Sequence, residues 1–205
     1  MQAVSSLALE DVSMYENSMF CAAIKNAAIV GAVKVSLWKK GVVLPIQKLF
    51  DINPSGFENM GAKSIWHVGR FAISKSEKEG AKLLKRLITL AIYPICKTPG
   101  SIMLAECDAK FVRGLNLMGI KTETIAPGIT YLGSETLPIY STQSWLSSFL
   151  NKSPYYNEAA DFYAKHSLKK NMIPTDTRAQ HAVTHLHQML RDIAGAIAAP
   201  KVHHI

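Results

Sequence analysis

The chain has 205 residues, of which 48% are hydrophobic and 19% are charged, and its formal net charge is +8 at pH 7. This length predicts one domain, or one domain with an appendage, and the apolar share is enough for a sizeable core, which excludes intrinsic disorder. The positive charge favours an anionic partner such as a nucleic acid, a lipid surface, a phosphorylated cofactor or an acidic carrier protein.

No segment of the sequence resembles a membrane anchor or a secretion signal. The longest apolar run, around 87–96, is interrupted by a threonine, a tyrosine and a proline, and the N-terminus lacks a basic start and an apolar centre. The three cysteines show no metal-ligand spacing. We therefore expect a cytoplasmic protein with reduced thiols, no transmembrane segment and no metal.

The first two thirds of the chain are predicted to form a sheet with interleaved helices. In chain order the hydrophobic patterns predict strands at 19–25, 28–37 and 65–74, a helix at 77–93, a strand at 101–106, a helix at 108–118, and strands at 121–124, 129–132 and 137–140. Asn26 is expected to form a hairpin turn, residues 51–56 a loop, and Pro94 the end of the first helix. This order predicts an α/β (α+β) fold with a mixed, mostly antiparallel sheet flanked by helices.

The character of the sequence changes to helices at about Thr142. Helices are predicted at 144–150, 155–167 and 177–199. We interpret residues 1–142 as the core and 143–205 as a helical C-terminal extension. The last helix has one apolar face, which is expected to pack on the core or on a second copy of the chain, so a homodimer through these helices stays open.

The segment that starts at Trp66 carries the clearest functional signal. A strand with one arginine, Arg70, among apolar residues is followed by a polar turn and by a helix with lysines on one side. A strand that ends beside a helix N-terminus offers free backbone N–H groups to a phosphate or a pantetheine arm. Acyl transfer is therefore the leading interpretation. It requires that the strand around Phe71 splay from its sheet neighbour, so that a thioester can lie between them.

Several blocks of this sequence are similar to those of a known family. Residues 28–35 (AIVGAVKV) resemble a strand of the form xVVGxxRL, and residues 66–73 (WHVGRFAI) resemble one of the form WExSRFAV. The pattern resembles GNAT-type N-acyltransferases, and among them the acyl-homoserine-lactone (autoinducer) synthases and the long-chain N-acyl amino acid synthases. Where that strand carries a glutamate and a serine before the arginine, this chain has His67 and Gly69.

The resemblance implies an acyl donor and an amine acceptor. The donor would be a thioester of coenzyme A or of acyl carrier protein, and an acidic carrier protein would suit the lysines of the helix. The acceptor would be an amine such as an amino acid or S-adenosylmethionine. The residues expected to hold the donor are Phe71, Ala72, Ile73, Ser74, Lys75, Gly80, Ala81 and Lys82.

The resemblance also implies catalytic and substrate-binding roles. Attack of an amine on a thioester requires removal of a proton and stabilisation of an oxyanion. Glu106 and Asp108 are expected to accept the proton, Arg70 to clamp a substrate carboxylate, and Arg113 to match a basic position of the synthases. The residues expected to bind substrate are Glu16, Trp66, Met103 and Leu104, the last three along an acyl tunnel.

Plain structural roles stay open for the same residues. Arg70 also fits an ion pair with Glu106 or Glu135, and Asp108 also fits a helix N-cap. The lysines also fit a solvated helix face, and the apolar residues also fit the core. At the level of function, the alternative is a non-catalytic module that binds a carrier protein or coenzyme A. Nucleic-acid binding is disfavoured, because the sequence has no recognisable motif for it.

Overall fold

The structure is a computed structural model that describes residues 17–167. It opens with a hairpin of β1 (Ser18–Lys25) and β2 (Ala28–Leu37), which confirms the hairpin predicted around Asn26. Asn26 and Ala27 form the turn, with φ angles of 50° and 59°. Two successive residues with positive φ make the tight turn that matches the twist of paired strands, and asparagine tolerates this conformation better than most residues.

Two short helices follow the hairpin. Helix α1 spans Pro45–Phe50 and α2 spans Ser55–Asn59. The predicted loop at 51–56 is therefore wrong for its last two residues, which begin α2. Pro45 fixes φ in the first turn of α1, but helices of this length contain too few residues for a helical period to be recognised in the sequence.

The central elements are β3 (Ser64–Ile73), α3 (Gly80–Lys97) and β4 (Ser101–Asp108). Helix α3 begins later than the predicted start at residue 77. Glu77 donates its N–H to Ser74 O at 3.1 Å and accepts the N–H of Glu79 on Oε1 at 3.0 Å. These bonds hold the preceding residues in turns, which delay the helix to Gly80.

The remaining elements are α4 (Ala109–Leu117), β5 (Glu123–Thr124), β6 (Ile129–Tyr131), β7 (Ser134–Thr142), α5 (Gln143–Leu150) and α6 (Tyr156–Ser167). Helices α5 and α6 confirm the predictions at 144–150 and 155–167. The helix predicted at 177–199 lies outside the described residues. Across residues 17–167, no helix has the length and apolar character needed to cross a membrane.

The strands described here form one seven-stranded mixed sheet in the order β1-β2-β3-β4-β7-β5, with β6 also paired to β7. Strands β3 and β4 are parallel, and the other neighbouring pairs are antiparallel. This arrangement confirms the predicted mixed, mostly antiparallel sheet.

Helix α3 crosses one face of the sheet and packs on both of its halves. Leu83, Leu87 and Ala91 join a core cluster with β1 and β2, whereas Ile88 and Ile92 join a cluster with β4, β7, α4 and α5. The opposite face carries a third cluster, built from α1, α2 and the residues around them. Helices therefore flank the sheet on both faces, as the element order predicts.

Pro94 lies inside α3 and does not end it, so the predicted helix end is wrong. Proline has no N–H, which leaves the carbonyl four residues earlier, that of Leu90, without its usual donor. The hydroxyl of Tyr163 on α6 donates to Leu90 O at 2.9 Å and takes the place of that donor. The helix continues to Lys97, and α6, which is distant in sequence, supplies the donor that Pro94 lacks.

Candidate active site

Strands β3 and β4 lie side by side along their first halves and then part. Their parallel ladder runs from Ser64–Ser101 to His67–Leu104. Beyond it, β3 continues with β2 as its partner, and β4 continues with β7. A gap, which we call the notch, opens between residues 68–73 of β3 and 105–108 of β4. The expected splay of the strand around Phe71 is confirmed.

A β-bulge shapes the β3 side of the notch. The register between β2 and β3 shifts so that Arg70 and Phe71 together lie opposite Val33. Arg70 has a φ of 53°, in the left-handed region that residues other than glycine rarely adopt. This strain lies at one of the residues predicted to act on substrate, and backbone strain clusters at functional sites.

The bulge is followed by backbone donors that point into the notch. Ser74 donates its N–H to Val30 O of β2 at 2.8 Å. Because successive N–H groups of a strand point to opposite edges, the N–H groups of Ile73 and Phe71 lie on the edge away from β2. These two donors face the gap that β4 leaves open.

His67 and Glu106 meet where the strands part. The His67 Nε2 atom lies 2.9 Å from Glu106 Oε2 and 3.1 Å from Oε1. Both side chains are largely buried, with 3% of His67 and 11% of Glu106 exposed. The other ring nitrogen, His67 Nδ1, is buried and has no hydrogen-bond partner within residues 17–167.

Glu106 was predicted as a site residue and His67 was not. The signal for His67 was present, because His67 and Glu106 are both polar residues inside apolar strands. In a parallel ladder that aligns His67 with Leu104, Glu106 lies two residues further on and points to the same face. This alignment depends on the strand register, which the sequence did not supply.

Asp108, the second predicted proton acceptor, caps a helix. Its side chain accepts the N–H of Lys110 at 2.7 Å and that of Phe111 at 3.4 Å, at the start of α4. A hydrogen bond from Ser134 and these backbone donors lower the pKa of Asp108. A carboxylate with a lowered pKa is a weaker base, and the Asp108 carboxylate is already engaged as the cap of α4.

Cys107 lies between these two carboxyl groups. Burial, together with the charges of Glu106 and Asp108, raises the pKa of the Cys107 thiol to about 12. A thiol with this pKa is protonated at neutral pH and is therefore a poor nucleophile. Cys107 is therefore not a candidate nucleophile in this site.

The loop after β3 and the first turn of α3 carry paired and unpaired charges. Lys25 contacts both Glu77 oxygens at 3.1 Å, and Lys82 forms an ion pair with Glu79. Lys75 and Lys78 are exposed on the same loop. Lysines therefore outnumber glutamates around Gly80 and Ala81, whose N–H groups begin the helix and have no intrahelical acceptor.

The apolar residues predicted to bind the acyl chain lie on both faces of the sheet. Trp66, Phe71 and Met103 belong to the cluster on the α3 side, and the Phe71 ring lies 5.2 Å from the Phe111 ring, centre to centre. Leu104 is buried in the cluster on the opposite face. The sheet therefore separates Leu104 from the other three.

Two further predicted residues lie outside this arrangement. Arg113 is exposed on α4, and its role stays a prediction. Glu16 lies outside the described residues. In the described part of the chain, no group of three or more histidine, cysteine, aspartate or glutamate side chains is placed to hold a metal ion.

A surface depression of about 300 Å³ lies elsewhere, next to Phe57, Met60, Tyr140 and Gln143. It is lined by Ser101 and neighbouring residues at the start of β4, whereas the notch lies at the end of that strand. The depression therefore does not belong to the site described here.

Comparison with known proteins identifies the fold. FeeM, an N-acyl amino acid synthase from uncultured soil microbes, superposes with a TM-score of 0.50 at 12% sequence identity, over 71% of this chain and 89% of FeeM. TofI, solved in a ternary complex with an inhibitor and MTA, superposes with a TM-score of 0.50 at 13% identity, over 68% of this chain and 72% of TofI. The protein has a GNAT-like fold.

This GNAT-like fold is the one that the resemblance in sequence implies. BjaI, a CoA-dependent acyl-homoserine lactone synthase solved with SAM and isopentyl-CoA, has a TM-score of 0.48 at 10% identity, over 66% of this chain and 64% of BjaI. No protein-family model matches the chain, and no curated protein matches it in sequence. The likeness to the synthases is therefore one of fold.

Proposed function

We propose that the protein is an N-acyltransferase that transfers a fatty acyl group from a thioester to an amine. The observation that carries the proposal is the notch, where β3 and β4 part beyond His67 and Leu104. A sheet that opens at this point leaves backbone donors of β3 without a strand partner, which an extended ligand can use as an added strand does.

The donor binds along β3 in this proposal. The N–H groups of Phe71 and Ile73 face the notch, so they are placed to bind amide or thioester carbonyls of a pantetheine arm. Backbone donors of this kind stabilise the oxyanion that forms when a carbonyl is attacked. The phosphates of coenzyme A, or of a carrier protein's phosphopantetheine, would lie at the N-terminus of α3 near Lys75 and Lys78.

The acceptor enters next to the bulge. Arg70 is proposed to bind a carboxylate of the acceptor, which favours an amino acid, the type of acceptor named for FeeM. The proton that the amine loses passes to the buried pair of His67 and Glu106. The apolar acyl chain lies towards the α3 side, along Trp66 and Met103.

The experiment is a direct assay for amide formation. The full chain is incubated with acyl-coenzyme A or acyl-carrier protein and a panel of amino acids and other amines, and products are identified by mass spectrometry. Amide product with one donor supports the proposal. A thermal shift with coenzyme A but no amide from any amine would instead indicate a non-catalytic binding module.

The donor site is tested by a charge reversal with a matched control. Lys75→Glu/Lys78→Glu is expected to raise the KM for the donor about tenfold or more at low ionic strength. The reversed charges would repel the phosphates of the donor, and this repulsion is strongest where little salt screens it. Lys39→Glu/Lys40→Glu makes the same change in net charge just after β2, at the opposite end of the β2–β3 pair from Lys75. Equal KM values in the two variants would contradict this position for the donor.

A further inference from the structure

His67 is a buried histidine with one nitrogen bonded and one left open. With Glu106 ionised, Nε2 carries the proton and donates it to the carboxylate at 2.9 Å, so Nδ1 carries a lone pair. That lone pair has no partner in the described chain. A buried polar atom without a partner destabilises the folded state, and such an atom in a native site needs a reason.

Gly69 makes room for this arrangement of the ring. A Cβ atom at position 69 would lie 2.9 Å from His67 Cε1 and 3.6 Å from Nδ1, and the first distance is too short for real atoms. The ring of His67 therefore occupies the space that a side chain at 69 would take. His67 and Gly69 are the two positions before Arg70 at which this strand departs from the pattern that it resembles, so these two departures form one structural feature.

We infer that His67 is a catalytic residue whose Nδ1 atom accepts the proton of the attacking amine, and that Glu106 is its positioning residue. This inference rests on the proposed acyltransferase function, and it names the base that the function requires. Glu106 holds Nε2–H, which leaves the lone pair on Nδ1, and its negative charge stabilises the imidazolium that forms.

The neutral amine nitrogen attacks the thioester carbonyl carbon, a C–N bond forms, and a proton passes from that nitrogen to His67 Nδ1. The tetrahedral intermediate then collapses, the C–S bond breaks, and the leaving sulfur takes the proton back from Nδ1. The products are an amide and a free thiol, and His67 returns to its neutral form.

The charged groups around His67 define how a pH profile is interpreted. Gly69 pairs with Lys34 on β2, and Lys34 is buried on the same face as His67. Glu106 faces the ring from β4, and Arg70 follows Gly69 on β3. Several charged side chains therefore lie around His67, so a pH profile is assigned to the ring only by comparison with a variant at His67.

The first test compares two histidine variants. His67→Gln keeps a donor for Glu106 but has no basic nitrogen, and it is expected to lower the rate of amide formation about 100-fold or more with little change in the KM of the donor. The fall in wild-type rate at acidic pH is expected to disappear in this variant. His166→Gln, on the exposed end of α6, is the matched control and is expected to keep the wild-type rate and profile.

The second test does not depend on activity, and its main readout is taken on the wild type. The ¹⁵N spectrum of the imidazoles in the full chain is expected to show His67 with its proton on Nε2, and a mixture of tautomers in Glu106→Gln. A proton on Nδ1 in the wild type would overturn the inference. So would a His67→Gln variant that forms amide at the wild-type rate. If the wild type forms no amide with any donor, both the proposed function and this assignment fall.

Discussion

The side chain of Asp108 caps a helix next to the candidate site. Its carboxylate ends β4, begins α4 and accepts hydrogen bonds from Lys110 and Phe111. The neighbouring Glu106 instead makes the buried contact with His67. The two acidic residues on either side of Cys107 therefore have different surroundings. Asp108 caps a helix, whereas Glu106 is proposed to act in proton transfer.

The cap makes a prediction that depends on pH. Asp108→Ala is expected to lower the free energy of unfolding by about 1 kcal/mol near pH 7, because α4 loses its N-cap. The lowered pKa of Asp108 means that this contribution is present above the ordinary aspartate pKa of about 4 and is lost as the pH falls through the lower folded value.

Urea unfolding at about pH 7 and about pH 3 measures this effect. Asp108→Asn is the matched control, since asparagine also caps helices, and it is expected to keep most of the stability at both pH values. A cost of Asp108→Ala that is larger at the acidic pH would contradict the sign.

Helix α3 depends on a contact that is remote in sequence. Pro94 removes the donor for Leu90 O, and the hydroxyl of Tyr163 replaces it. Tyr163 is also hydrogen-bonded to Cys21 of β1, and burial raises the pKa of the Tyr163 hydroxyl far above the ordinary value. The hydroxyl is therefore protonated throughout the physiological range and remains available as a donor. Helix α6 thus completes the hydrogen bonding of α3.

This contact makes a prediction that a double-mutant cycle can measure. Tyr163→Phe is expected to lower the free energy of unfolding by about 1–2 kcal/mol, because Leu90 O loses its donor in a buried place. In a Pro94→Ala background, the new alanine N–H can donate to the same carbonyl, so Tyr163→Phe is expected to cost less. Equal costs in the two backgrounds, measured by urea unfolding, would show that Leu90 O does not depend on Tyr163.

The sequence predicted more of the strands than of the short or interrupted helices. The hairpin at Asn26 and the strands β3 and β4 follow from local turn chemistry and apolar runs. The end of α3 could not be predicted, because its continuation past Pro94 depends on Tyr163, which is 73 positions away from Leu90. Helices α1 and α2 were missed because they contain too few residues to show a period.

The candidate site was predictable in part for a similar reason. The strand around Phe71 and the turn and helix that follow it are local features of one segment. The partner of Glu106 is not local, since His67 lies 39 positions away and meets it through the register of a parallel ladder. A parallel register follows from the packing of the crossover helix α3, so strand patterns by themselves do not contain it.

Two of the three cysteines, Cys21 and Cys96, are buried, and Cys107 is partly exposed. Cys21 lies in the cluster beside β1 and β2, Cys96 in the cluster at the end of α3, and Cys107 at the notch. Burial raises the pKa of Cys21 and of Cys96 to about 11. Burial raises that of Cys107 to about 12.

These thiols are expected to react slowly while the protein is folded. At about pH 8 each is almost entirely protonated, so a thiol reagent is expected to label all three far more slowly than a free cysteine, and rapidly after unfolding in guanidinium. Peptide mapping by mass spectrometry assigns the labels. Fast labelling of Cys107 in the native protein would show that this wall of the notch is more open than described.

Because β3 and β4 part, the sheet consists of two halves that are joined by a short parallel ladder. One half is the β1–β2–β3 meander and the other contains β4 and β7, and α3 packs on both. An extended ligand in the notch would form hydrogen bonds with backbone groups of β3 and β4 that have no strand partner there. Binding of the ligand would then make the sheet continuous, and its release would remove hydrogen bonds that join the two halves.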